Sequence, residues 1–170
     1  MRVAASKSGP IRESEEYRDA QSDPRFISWL KMQEAAIELE FIVSDVPELK
    51  PHLYTREGII IAERAALERF SGWREAFAGD NLTVAMRFVY FIGETFRRAT
   101  EGRWVAVPQV PPKSGAIQAI DVAYKSGFYT PTDMLQMALA QRTGDKIVKV
   151  FDYAVEDHQK WVDSGRPSRA

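Results

Sequence analysis

Between Leu82 and Val107 the chain carries its strongest helical pattern. At about 100° per residue, Leu82, Ala85, Met86, Phe88, Val89, Phe91, Ile92, Phe96 and Ala99 spread over more than half of a helix circumference. A surface helix needs a much narrower apolar face, so the pattern predicts a central helix over 82–101 with neighbours on two or three sides. The polar remainder is one strip: Thr83, Arg87, Tyr90, Glu94, Arg97, Arg98 and Glu101. Gly93 costs about 1 kcal/mol against alanine inside a helix, which predicts that another backbone crosses close to it. Gly102 falls where a left-handed residue ends a helix, and Trp104-Val105-Ala106-Val107 reads as a short strand.

Upstream, residues 1–22 mix Ser, Gly, Pro and both charge signs without apolar periodicity, and read as a disordered N-terminal arm with one turn around Glu13 to Arg18. Asp23-Pro24 supplies an N-cap and a first-turn proline. Phe26, Trp29, Leu30, Ala36, Ile37, Phe41 and Ile42 then carry a helix to about Ser44, stopped by Pro47. Thr55 caps the next helix, which runs to about Ser71-Gly72 with a continuation over Trp73 to Ala78. Gly79-Asp80-Asn81 is a turn.

Downstream of Trp104, Pro108, Pro111, Pro112 and Gly115 punctuate a loop, and Ala116 to Val122 resumes strand character, giving a hairpin. Thr130-Pro131-Thr132-Asp133 starts a helix that Gly144 ends. A last helix runs from Asp145, and residues 164–170 read as a disordered tail. Two strands do not stand alone. The expected fold is therefore α+β and mainly helical, with about five helices around the central one (82–101) and a two-stranded β-hairpin (104–107, 116–122). Residues 23–163 form a single globular domain.

Composition narrows the partners. The 170 residues, 45% apolar and 11% aromatic, suffice for one real core. Lys and Arg number 23 against 24 Asp and Glu, for a net charge of −1, and no block of five like charges occurs. A nucleic-acid or polybasic membrane surface is not indicated, and protein or small-molecule partners are favoured. Cysteine is absent, the first residues lack the apolar run of a signal peptide, and the longest apolar run, Phe88 to Ile92, is too short for a bilayer. A cytoplasmic protein is expected.

Candidate chemistry is sparse. His52 and His158 stand alone without metal-ligand spacing, and neither nucleophile elbows nor phosphate loops occur. No metal, cofactor or catalytic residue is expected. Glu63 and Glu94 are the carboxylates that a paired acid/base site would use. The strip of Arg87, Glu94, Arg97, Arg98 and Glu101 has two readings. Arginine forks grip carboxylates or phosphates in bidentate fashion; a solvated ladder, about 0.2–0.5 kcal/mol per pair, is the commoner outcome. Glu94 has a further structural role open to it, accepting bonds from a nearby turn at the Thr55 helix start or from Arg103. Trp29, Trp73, Trp104 and Trp161 are core residues by default. The loop from Val107 to Ala116, with Lys113 as its one charge, is the best exposed contact surface. The candidate binding set is thus Arg87, Glu94, Arg97, Arg98, Glu101, Trp104 and Lys113.

Taken together, Tyr54-Thr55-Arg56-Glu57-Gly58 with Glu63, Tyr90 to Arg98 around Gly93-Glu94, Gly102-Arg103-Trp104-Val105 and Thr132-Asp133-Met134-Leu135 resemble a group of small bacterial α+β proteins, some of immunity-protein type. The likeness spans about residues 54 to 155. It implies a cytoplasmic, non-enzymatic, antitoxin-like protein that neutralises a protein partner, such as a cognate toxin, by surface complementarity. The alternative is a small-molecule-binding protein or enzyme. Its pocket would lie between central helix and hairpin, with Glu94 as proton acceptor and Arg98 as anion clamp. A third reading is a homodimer subunit.

Overall fold

In a computed structural model, residues 10–109 and 115–169 are described, and helix α5 (Asn81–Thr100) runs through their middle. Phe88, Val89, Phe91, Ile92 and Phe96 on it are buried, because α2 (Pro24–Ala36), α3 (Arg56–Arg69), α6 (Pro131–Gln141) and α7 (Lys146–Asp163) surround it. The central helix is therefore where its wide apolar face placed it. It ends at Glu101, whose φ of 53° takes the left-handed position one residue before Gly102. Gly102 serves another purpose: a Cβ there would lie 2.6 Å from Ile120 Cγ2.

The class is mainly helical α+β, but the helices outnumber the five expected. Among the described residues seven α-helices and one π-helix make eight. The first predicted helix accounts for part of the difference, because α2 passes at Ile37 into a π-helix over Ile37–Asp45. Val46 N–H closes it on Phe41 O, five residues back, at 2.7 Å. Ile37 and Phe41 are both fully buried on it. The continuation after α3 is only one short helix, α4 (Trp73–Ala76).

Helix ends are satisfied across the fold as well as locally. Thr55 Oγ1 accepts from Gly58 N–H at α3, as its position before the apolar run implies. Arg142, left-handed at the end of α6, donates to the Leu67, Phe70 and Ser71 carbonyls that close α3. Glu63, buried in α3, accepts from Lys146 N–H at 3.1 Å and Ile147 N–H at 2.6 Å, the first donors of α7.

Strands β1 (Arg103–Pro108) and β2 (Ala116–Asp121) pair antiparallel, Arg103 opposite Asp121 and Pro108 opposite Ala116. The pairing extends past the predicted β1 at both ends and stops one residue short of Val122. Its open edge is covered by a segment expected to be disordered. Ser14 caps α1 (Glu15–Gln21), and the Gln21 side-chain amide both donates to Ala106 O and accepts from Ala106 N–H. Buried Tyr17 packs with Val105 and Ala119. This stretch has too few apolar residues to show a period and is held by polar bonds, which the pattern did not register. Residues 1–9 of the predicted arm lie outside the described residues. The predicted tail is likewise engaged: Trp161 Nε1 donates to Pro167 O, Arg166 pairs with Glu101, and Arg169 reaches Asp121.

Glu63→Ala leaves the buried N–H of Ile147 and the part-buried N–H of Lys146 without their acceptor. Chemical denaturation is expected to show a loss of about 1–3 kcal/mol, with faster amide exchange at Lys146 and Ile147.

Candidate functional site

The site begins at a missing side chain. A Cβ on Gly93 would come 2.1 Å from Trp104 Cη2 and 2.8 Å from Pro131 Cγ. The crossing group predicted from this glycine is thus the Trp104 indole from β1, not a backbone. Seated there, Trp104 stacks on Tyr90 at 5.4 Å and 7°, and meets Trp29 edge-on at 5.5 Å.

The next residue, Glu94, is 4% exposed. One carboxylate oxygen accepts from Trp104 Nε1 and Arg97 Nε, both at 2.9 Å. The other accepts from Arg97 Nη2 at 2.5 Å and Arg98 Nε at 3.1 Å. The Arg98 guanidinium lies 3.9 Å above the Tyr54 ring, which itself stacks on Phe91 at 5.7 Å. Arg97 and Arg98 keep about a third and half of their side chains in solvent. Two guanidiniums therefore share one buried carboxylate.

The electrostatics follow from that count. Burial pushes the Glu94 carboxyl up, but hydrogen bonds from Arg97, Trp104 and Arg98 overcome it and hold the group below the usual carboxylate range. Burial, with Glu94, Glu38 and Glu34 adding to it against the opposing charge of Arg98, pushes the Tyr54 hydroxyl up to about 12.

Other candidates lie elsewhere. Arg87 bonds Asp45 at 2.7 Å, at the end of the π-helix, and is mostly covered. Glu101 pairs with His158 and Arg166 at 2.8 and 3.1 Å. The strip is thus three separate clusters, because its members reach for different neighbouring elements. Lys113 lies outside the described residues. Thr55 and Arg103, the partners suggested for Glu94, are used at α3 and at Asp121 instead. Glu63 is committed to the first donors of α7.

The sequence reading missed Trp29 and Tyr54 as members of this cluster. It also missed Asp121, a buried carboxylate on which Arg12, Arg103 and Arg169 converge at 2.8, 3.4 and 2.8 Å. The first two carried signals, an apolar-face tryptophan and a motif tyrosine. Asp121 carried none, since two of its arginines lie 109 and 48 residues away.

Searched against family models, curated proteins and solved structures, the chain matches none significantly. What the site can do rests on its geometry. Between α5 and the hairpin, where the alternative reading put its pocket, the Trp104 indole lies against Gly93 and Tyr90. Two grooves, of about 580 Å³ beside Tyr124, Lys125 and Trp161 and about 250 Å³ beside Phe26, Trp29 and Gln118, contain neither Glu94 nor Arg98. A carboxylate held ionised and saturated by donors makes a poor proton acceptor. It makes a firm anchor for two arginines.

Between pH 4.5, the ordinary glutamate value, and the lower folded value, the unfolded chain binds a proton that the folded chain refuses. The contribution of Glu94 is thus complete above that window and drains as pH falls through it. Urea midpoints measured from pH 6 down to 3 are expected to fall less steeply for Glu94→Gln than for the native protein; parallel curves would refute the assignment. Gly93→Ala is expected to cost about 1–3 kcal/mol by displacing Trp104. In a double-mutant cycle with Trp104→Ala the two losses should fall short of their sum.

Proposed function

We propose that this is a non-enzymatic binding protein of bacterial immunity type that neutralises a protein partner, a cognate toxin, by surface complementarity. The observation that supports it is the pinning of Arg97 and Arg98 by buried Glu94. Interface affinity concentrates in a few Arg, Tyr and Trp anchors, and side chains already held in place lose less entropy on docking. Arg97, Arg98 and Tyr54 form such a group, with about a third and half of the two arginine side chains in solvent. An acidic side chain of the partner, received in bidentate geometry, is the contact that this group fits.

A cytoplasmic location goes with this reading. Among the described residues no helix is long and apolar enough to cross a membrane.

Purified protein is expected to co-elute with a toxin encoded beside it. Arg97→Ala and Arg98→Ala should each weaken that complex about tenfold or more while circular dichroism still reports a folded chain. Cells that keep the neighbouring toxin and survive deletion of this protein would sink the proposal.

A further inference from the structure

The larger groove, about 580 Å³, is of a size that holds a small ligand. One wall is the turn after β2, with Tyr124 and Lys125; the other is the end of α7 and the segment that follows it, with Lys160, Trp161 and Arg169. Hydrogen bonds hold both walls. Arg12 donates to Ser126 O at 2.7 Å and to Gly127 O at 3.0 Å, which fixes the turn. Trp161 Nε1 donates to Pro167 O at 2.9 Å, which ties the last segment to α7.

Positive charge is in excess here. Arg169 shares Asp121 with Arg12 and Arg103, so one buried carboxylate answers three guanidiniums. Lys125 has no ion-pair partner among the described residues, and its ammonium lies 4.4 Å from the centre of the Tyr129 ring. Lys160 pairs with Glu156 at 3.1 Å, but both side chains are mostly in solvent, where such pairs are weak. Among the described residues Asp157 is the one acid in the lining. Taken with every group that shares their ion pairs, the cations of the groove number five against three acids, in a chain whose overall balance is −1.

We infer that this groove binds a small phosphate monoester. A monoester brings nearly two negative charges and three acceptor oxygens, which matches an excess of two cations. Ser126 and Ser168 in the lining add hydroxyl donors. A single carboxylate would leave half of that excess unanswered. Half-buried Tyr124 and Trp161 offer the organic part of the ester an aromatic flank, so a planar ring is the group that fits there. Neither Arg97 nor Arg98 lines the groove, and this site and the partner-binding reading therefore hold or fail independently.

Isothermal titration calorimetry of the full chain with phenyl phosphate is the test. Saturable one-to-one binding is expected, tighter than for inorganic phosphate, which lacks the ring, and tighter than for phthalate, an aromatic dicarboxylate. Lys125→Glu and Arg169→Ala should each weaken it about tenfold or more. Their circular dichroism spectra should be unchanged, because Asp121 keeps Arg12 and Arg103. Lys50→Glu, the same charge change on a segment that lines no part of the groove, should leave the affinity within about twofold, since salt screens distant charges. No binding at millimolar phenyl phosphate would overturn the inference. So would inorganic phosphate or phthalate binding as tightly, a Lys125→Glu protein that binds like the native one, or an equal loss from Lys50→Glu.

Discussion

The bond between Glu94 and the Trp104 indole sets how helix and hairpin meet. A carboxylate taken out of water costs several kcal/mol unless its lone pairs are met, and here three side chains from two elements meet them. Gly93 clears the floor for the indole, Tyr90 stacks on its face, and Trp29 from α2 closes its edge. Remove the acid and the tryptophan loses its only polar partner; remove the glycine's empty space and the acid loses its donor. Two neighbouring residues of α5 thus dock a strand that begins ten positions later.

The same device recurs wherever this chain buries an acid. Glu63 ties α3 to the start of α7, Asp45 ties the π-helix to α5 through Arg87, and Asp121 gathers arginines from both ends of the described chain. Each acid sits at a junction between elements whose apolar surfaces alone leave orientation loosely fixed. Hydrophobic burial is non-directional; a carboxylate with named donors is not. Among the described residues the buried charges are Glu63, Glu94 and Asp121, and each is met by donors from another element.

What the sequence disclosed follows that division. The wide apolar face of Leu82 to Ala99 placed α5, the Asp23-Pro24 and Thr55 starts placed α2 and α3, and alternation with prolines placed the hairpin, because all are local signals of period and punctuation. Gly93 marked a close approach, although it could not say that an indole makes it. The segment from Ile11 to Gln21 was illegible, as its order depends on Gln21 meeting the hairpin edge and Arg12 meeting Asp121 over a hundred residues away. The charged strip looked continuous on a wheel, which records angle but not neighbours. Arg87, Glu94 and Glu101 share a direction, yet each answers to a different partner.

The π-helical stretch has a consequence of its own. Its rotation is chosen by what Ile37 and Phe41 bury, so the bearing of Leu39 and Val43 on the outside is dictated from within. Interior volume around Phe41 acts as a dial for the exterior, and core residues such as Phe88 and Phe91, which touch that ring, govern a surface they never reach.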